Sequence, residues 1–234
     1  MIRAVLFDFY DTLAYVDGAI IRAARHTIAR RAGVDAAALD ALWQATAHQR
    51  MLGALGSLEE QIATLLARLG RQASPALVRE LAAIDLAAWQ RAVTLYPEAR
   101  PALAALKARG YQLGVLSNCS HQAGYVIERA GLDDLLDALT LSFRLGLAKP
   151  QPAIYLQACA ALGVAPQETV FVADGAFGEL DAARALGMVT VLIEQAHQSR
   201  AYGHSTGWDY RVDSLAAVPP LVERLAAGGT TAVG

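Results

Sequence analysis

The sequence predicts an α/β fold: a Rossmann-like core with a mainly parallel sheet flanked by helices, plus an all-helical cap domain. Three observations carry that expectation. Short apolar runs rich in β-branched residues stop abruptly at polar residues, Ala/Leu-rich stretches of helical spacing alternate with them, and one long early segment is helical throughout.

Ala4 to Phe7 is the first such run; it stops at Asp8 and suits a strand buried on both faces of a parallel sheet. From about Tyr15 to about Val93 no convincing strand pattern occurs. Helices are expected there over Ile20 to Arg31, Ala37 to Met51, Leu58 to Leu69 and Pro75 to Arg91, separated by Gly33, Gly53 with Gly56, and Gly70. Tyr96-Pro97-Glu98 marks the return to the core. Strands are then expected over Leu113 to Leu116, ending at Ser117-Asn118, Val170 to Ala173, ending at Asp174, and Val189 to Ile193, ending at Glu194. Pro101 to Arg109, Ile154 to Leu162 and Leu180 to Leu186 supply the flanking helices, and Gly110, Gly131, Gly163 and Gly187 stand where helix C-terminal glycines belong. The expected division is a core of 1–14 and 94–234 with a helical cap over 15–93, and the Gly/Thr-rich tail after Ala227 is expected to fray.

Composition narrows the function. The 234 residues suit one large domain, or one domain with an insertion. Twenty Lys plus Arg against 22 Asp plus Glu give a net charge of −2, which supplies no attraction to nucleic acid or an anionic membrane. Cys119 and Cys159 are too few for a disulfide framework and lack zinc-site spacing. The first apolar stretch is broken by Asp8, and no later run reaches the roughly 18 residues of a membrane span, so a cytoplasmic protein is expected.

In an open parallel sheet the ligand sits outside the carboxyl ends of the strands, so Asp8, Ser117, Asn118 and Asp174 should converge, with Lys149 from the Ala148-Lys149-Pro150 loop. Asp8 suits a nucleophile, and with Asp174 it offers hard oxygen ligands to a divalent cation. Lys149 would balance the carboxylates and an anionic substrate, whose oxygens Ser117 and nearby amides would bind. Cys119 and the Ser120-His121 pair read as loop residues rather than nucleophiles, since no metal-ligand spacing or activating partner accompanies them. Trp43, Gln44, His48 and Arg50 are candidates for the substrate pocket, although Trp43 with Leu39 and Ala47 has the spacing of a packing stripe.

These residues resemble the four motifs of the haloacid dehalogenase-like hydrolases with a helical cap inserted after the first motif. Asp8-Phe9-Tyr10-Asp11-Thr12-Leu13 resembles the first, Leu116-Ser117-Asn118 the second, Lys149-Pro150 the third, and Val172-Ala173-Asp174-Gly175 through Glu179-Leu180 the acidic fourth. The resemblance covers nearly the whole chain. It implies catalysis by Asp8, Tyr10 and Lys149, substrate binding by Thr12, Ser117 and Asn118, and Mg²⁺ held by Asp8, the Tyr10 carbonyl, Asp174 and Glu179. Glu179 also fits a plain helix-capping role.

Two departures pull apart. The phosphatases of this family place an acid/base Asp two residues after the nucleophile, and here that residue is Tyr10. A phenol with a pKa near ~10 is a poor base at neutral pH, and loss of a positioned acid/base costs on the order of 10²- to 10⁴-fold. Asp11 occupies the family's turn site and is not expected to substitute. The 2-haloacid dehalogenases carry a Tyr at this position, and Tyr155 also resembles their pattern. Against that assignment, Gln44 follows Leu42-Trp43 where their substrate-gripping Arg is expected, and Asp174 stands where they carry Ser. The expected function is Mg²⁺-dependent hydrolysis of a small phosphate ester through an aspartyl-phosphate, by a monomer or homodimer. A metal-independent 2-haloacid dehalogenase is the alternative, and a non-catalytic binding protein on the same fold is the third.

Overall fold

The computed structural model describes residues 1–196, 198 and 204–228. The chain opens with β1 (Ala4–Phe7) and β2 (Ala14–Val16), then runs through α1 (Gly18–Ala32), α2 (Ala36–Ala45), α3 (Ala47–Met51), α4 (Leu58–Arg68) and α5 (Pro75–Ala92). It continues with β3 (Val93–Leu95), α6 (Ala99–Ala108), β4 (Gln112–Ser117), α7 (His121–Glu128), β5 (Ala138–Leu141), α8 (Ser142–Leu145) and α9 (Pro152–Ala161). β6 (Thr169–Ala173), α10 (Glu179–Ala185), β7 (Val189–Ile193), β8 (Tyr210–Val212) and α11 (Val218–Ala226) complete it.

Six strands form one parallel sheet in the order β5-β4-β1-β6-β7-β8. β1 lies in its middle because every one of its side chains is apolar: Val5 and Phe7 enter the core on one face, Ala4 and Leu6 the core on the other. Each large side chain buried this way contributes roughly 1.5–3 kcal/mol. The register puts Phe7 opposite both Val115 and Val172, so Asp8, Ser117 and Asp174 emerge side by side.

Several elements differ from the sequence expectation. β5 and β8 were not expected as strands: both are short and lie at the sheet edges, and β8 carries the exposed Arg211. β2 and β3 pair as an antiparallel ribbon at the two ends of the helical insert, where no strand was expected. Three residues apiece are too few to show an alternation. The helix expected over Ala37 to Met51 is interrupted at Thr46, whose hydroxyl lies 2.8 Å from the Leu42 carbonyl and 3.2 Å from that of Trp43. Of the tail expected to fray, residues 229–234 lie outside the described residues.

The insert has its own apolar core, in which Ile28, Leu39, Trp43, Ile62, Leu65 and Leu81 meet. Its helices begin where side chains cap them: Asp17 accepts from Ala19 N–H, Asp35 from Ala38 N–H, and Ser57 with Glu60 forms a reciprocal capping box. α5 packs along α1 and also against α7 of the sheet layer. At Gly53, with φ +69°, a Cβ would collide with the Phe143 carbonyl, so glycine lets the end of α3 lie against α8.

One charged cluster lies inside the insert. The Arg25 and Arg50 guanidiniums stand 5.2 and 4.8 Å from the Trp43 ring centre, and Arg50 donates to the Trp43 carbonyl at 2.8 Å. Asp85 is fully buried, with no hydrogen-bond partner on either carboxylate oxygen. Burial pushes its pKa up to about 6 against the opposing pull of Arg25 and Arg50. A folded-state pKa above the unfolded value disfavours the ionised form, so Asp85 withdraws stability as pH rises from about 4 through about 6. Asp85→Asn, which mimics the protonated acid, is expected to stabilise the protein at pH 8 by up to about 3 kcal/mol and to lose that gain by pH 4. Urea unfolding of both proteins across that range checks it.

Candidate active site

The strand ends bring the expected residues together. Asp8 follows β1 and its N–H donates to the Val172 carbonyl at 2.9 Å, which fixes the backbone beneath the carboxylate. Lys149 reaches in from the loop before α9: its Nζ donates to Asp8 Oδ1 at 2.7 Å and lies 2.5 Å from Glu179 Oε2. Burial opposes a charged lysine, but the Asp8 and Glu179 charges outweigh it and raise the Lys149 pKa, so the ammonium is retained. Burial raises the pKa of Asp8, with Lys149 opposing and Asp174 reinforcing. Glu179 is raised well above its ordinary value, again by burial first, then by the Asp8 and Asp174 charges against Lys149.

Asp8, Asp174 and Glu179 present carboxylate oxygens within 4.8 Å of one another. One ammonium faces three carboxylates, and hard oxygen donors in such excess suit Mg²⁺. Glu179 already has both oxygens engaged, Oε2 with Lys149 and Oε1 with the Gly175 N–H at 3.2 Å. It begins α10 and is 1% exposed, so its work here is to brace Lys149 rather than to cap an open helix end. Asp174, 9% exposed, borders a cleft of about 120 Å³ lined also by Glu194, His204, Ser205 and Trp208.

Ser117 and Thr12 are both buried; the Ser117 hydroxyl hydrogen-bonds the Cys119 thiol, and the Thr12 hydroxyl has no hydrogen-bond partner. Asn118 departs from its expected substrate contact. Its amide donates to the Lys149 carbonyl at 2.9 Å and its Oδ1 accepts from Lys149 N–H at 2.8 Å, so the side chain positions Lys149. Asp11 takes a left-handed turn conformation, φ +58°, and its charge acts on Tyr96.

Tyr10 is engaged away from the carboxylates. Its hydroxyl donates to the Ala123 carbonyl at 3.0 Å, and its ring meets Trp89 of the insert edge-on, 5.9 Å between centres. Burial above all, then the neighbouring Cys119 and Asp8, push its pKa well above 10. The phenol is neither a base nor a free donor. Cys119 is buried and its pKa is pushed up to about 12 by burial and by Asp8, which removes it as a nucleophile. Of the pocket candidates, Trp43 packs inside the insert core with Leu39, Arg50 is buried against it, and Gln44 and His48 are exposed.

Ser142 and Tyr155 hold the site from outside it. Cys119 N–H donates to Ser142 Oγ at 2.9 Å, and that hydroxyl lies 2.8 Å from the Met51 carbonyl, tying the loop after β4 to α3 of the insert. The Tyr155 hydroxyl donates to the Glu179 carbonyl at 2.9 Å. The sequence marked Tyr155 only by resemblance and gave no signal for Ser142, a serine after an ordinary apolar run.

A buried Asp paired with a buried Lys, beside an acidic cluster at the carboxyl ends of a parallel sheet, is an arrangement that suits an α/β hydrolase. The family model of haloacid dehalogenase-like hydrolases matches residues 2–187, and the chain belongs to that family. It is 31% identical over 200 residues to a glyceraldehyde 3-phosphate phosphatase of Methanopyrus kandleri, covering 83% of this chain and 85% of the relative. It is also 31% identical over 233 residues to (S)-2-haloacid dehalogenase 4A of Burkholderia cepacia, covering 95% and 96%. Among solved structures, a defluorinating L-2-haloacid dehalogenase matches with TM-score 0.65 and 27% identity over 95% of both chains. A 2-haloacid dehalogenase from Pseudomonas syringae pv. tomato shares the fold, with TM-score 0.74 at 23% identity over 96% of this chain and 100% of that one. Phosphatases and dehalogenases thus both stand among the relatives.

Lys149→Met leaves Asp8 and Glu179 buried without their cation. It is expected to cost about 3–5 kcal/mol, the range for breaking a buried pair, and to lower the melting temperature as read by calorimetry at pH 7.5.

Proposed function

We propose that the protein hydrolyses a small phosphate ester with Asp8 as nucleophile, Mg²⁺ as cofactor and the helical insert, 15–93, as cap over the 1–14 and 94–234 core. The observation that carries this reading is the charge of the site: three buried carboxylates against the one Lys149 ammonium. A divalent cation offsets the excess, and a site for attack on a neutral carbon has no need of it.

An Asp8 oxygen attacks phosphorus, the bond from phosphorus to the ester oxygen breaks, and the leaving oxygen takes a proton from water. Water then attacks the aspartyl-phosphate, the phosphorus–Asp8 oxygen bond breaks, and phosphate leaves with Asp8 restored. Lys149 holds Asp8 in place, and the Ser117 and Thr12 hydroxyls donate to phosphoryl oxygens. Asp8, the Tyr10 carbonyl and Asp174 would hold Mg²⁺, with Glu179 in support; when bound, the ion neutralises phosphoryl charge. With the Tyr10 phenol held by Ala123, turnover falls most for esters whose leaving group needs protonation.

The second reading is a 2-haloacid dehalogenase, which Tyr10, Tyr155 and the end-to-end likeness to the Burkholderia enzyme favour. The exposed Gln44 and the retained Asp174 weigh against it.

A panel of phosphate esters and 2-haloacids, assayed with Mg²⁺ and with EDTA, separates the two. Phosphate release abolished by EDTA and by Asp8→Asn is the expected result; halide release in EDTA would establish the dehalogenase instead. Tyr10→Asp is expected to raise turnover of alkyl phosphates, with a ceiling of ~10²- to 10⁴-fold, and that of p-nitrophenyl phosphate less, because nitrophenolate leaves with little help. Mg²⁺ is expected to raise the melting temperature of the wild type, and Asp174→Ala to remove most of that shift. Equal shifts in both proteins would take Asp174 out of the metal site.

A further inference from the structure

We infer that Gln122 and Trp89 form the wall that reads the organic part of the substrate, and that they select a leaving group bearing hydroxyls. The inference rests on the phosphate-ester reading and adds the substrate class.

Gln122, the second residue of α7, is fully buried, and neither its Oε1 nor its Nε2 has a hydrogen-bond partner. Trp89 on α5 has a buried Nε1 in the same condition. The two helices pack against each other across the junction of insert and sheet layer. On α7, Ala123 and Ile127 enter the main core, while His121 and Gly124 lie against Phe143. Helical geometry leaves Gln122 and Val126 on the remaining buried face. Tyr10 ties this face to the reacting carboxylate: it stands two residues from Asp8, its ring meets Trp89, and its hydroxyl bonds the carbonyl of Ala123, next to Gln122.

A buried polar group left unmatched gives up its bonds to water without replacing them, so unmatched atoms on two packed helices joined to Asp8 through Tyr10 point to a ligand that matches them. Asp85, one turn before Trp89, is not part of the wall, since Arg25 and Arg50 of the insert act on its carboxylate. The chemistry of the remaining atoms sets the ligand. Gln122 offers two donors and an acceptor, and Trp89 offers one donor only. Hydroxyls, each a donor and an acceptor, satisfy that set, whereas an aryl or alkyl leaving group leaves every one of these atoms unpaired. The substrate class is a phosphate ester of a small polyol.

The test compares kcat/KM for glycerol 3-phosphate and phenyl phosphate, with Mg²⁺, in the wild type, Gln122→Met and Trp89→Phe. The expected result is a preference for glycerol 3-phosphate that falls about tenfold or more in Gln122→Met, mainly through KM, and about threefold or more in Trp89→Phe. Gln122→Met, which removes an unmatched buried amide, should melt no lower than the wild type. A preference that changes less than about twofold in both variants, or an equal loss on both substrates with a lower melting temperature, overturns the inference and leaves Gln122 a structural residue or a water ligand. Binding is also read without turnover: in Asp8→Asn, glycerol 3-phosphate should raise the melting temperature more than phenyl phosphate does, and adding Gln122→Met should erase the difference. If the wild type cleaves no phosphate ester, the proposed function fails, and this shift still decides the wall: no difference in Asp8→Asn overturns it.

Discussion

Lys149 carries its ammonium into the site with 4% of its surface exposed, between the carboxylates of Asp8 and Glu179. In a buried environment neither the cation nor the two anions is tolerable alone, and their mutual pairing offsets the loss of water. The surrounding structure is arranged to keep that pairing. Asn118 brackets the Lys149 backbone from the end of β4, Tyr155 holds the Glu179 carbonyl, and Gly175 N–H occupies the second Glu179 oxygen. Asp8 is thereby held in place at the end of β1, and it and Asp174 keep a small exposure that Glu179 lacks.

The seam between insert and sheet layer is the second constraint. It is crossed by the Ser142 hydroxyl on the Met51 carbonyl, by Gly53 against Phe143, and by Tyr10 against Trp89. Tyr10 is the point where seam and chemistry meet. It is a partly buried aromatic whose hydroxyl donates to a helix carbonyl, that of Ala123. The Tyr10 ring thereby helps seat the insert against the sheet layer two residues from Asp8.

Much of the sheet and the central site was legible in the sequence because their signals are local. Ala4 to Phe7, Val170 to Ala173 and Val189 to Ile193 are buried on both faces, so their apolar runs are unbroken and their polar ends mark the strand termini. β5, β8 and the β2–β3 ribbon were not legible: they are short, lie at edges or at the insert boundary, and owe their strand form to pairing partners distant in sequence. Ser142 and Gln122 escaped notice for a related reason, since a polar residue's value depends on what stands across from it.

Residue type and order alone fix the α/β class, the polar residues that end the strands and the net negative charge of their cluster. The tertiary structure decided how the charges pair and which polar atoms are left over. It assigned Glu179 to Lys149, turned Asn118 to a backbone, fastened the Tyr10 phenol to Ala123 and left Gln122 and Thr12 unmatched. Hydrogen bonds and buried ion pairs act over a few ångströms between residues far apart along the chain, and only the folded chain fixes those distances.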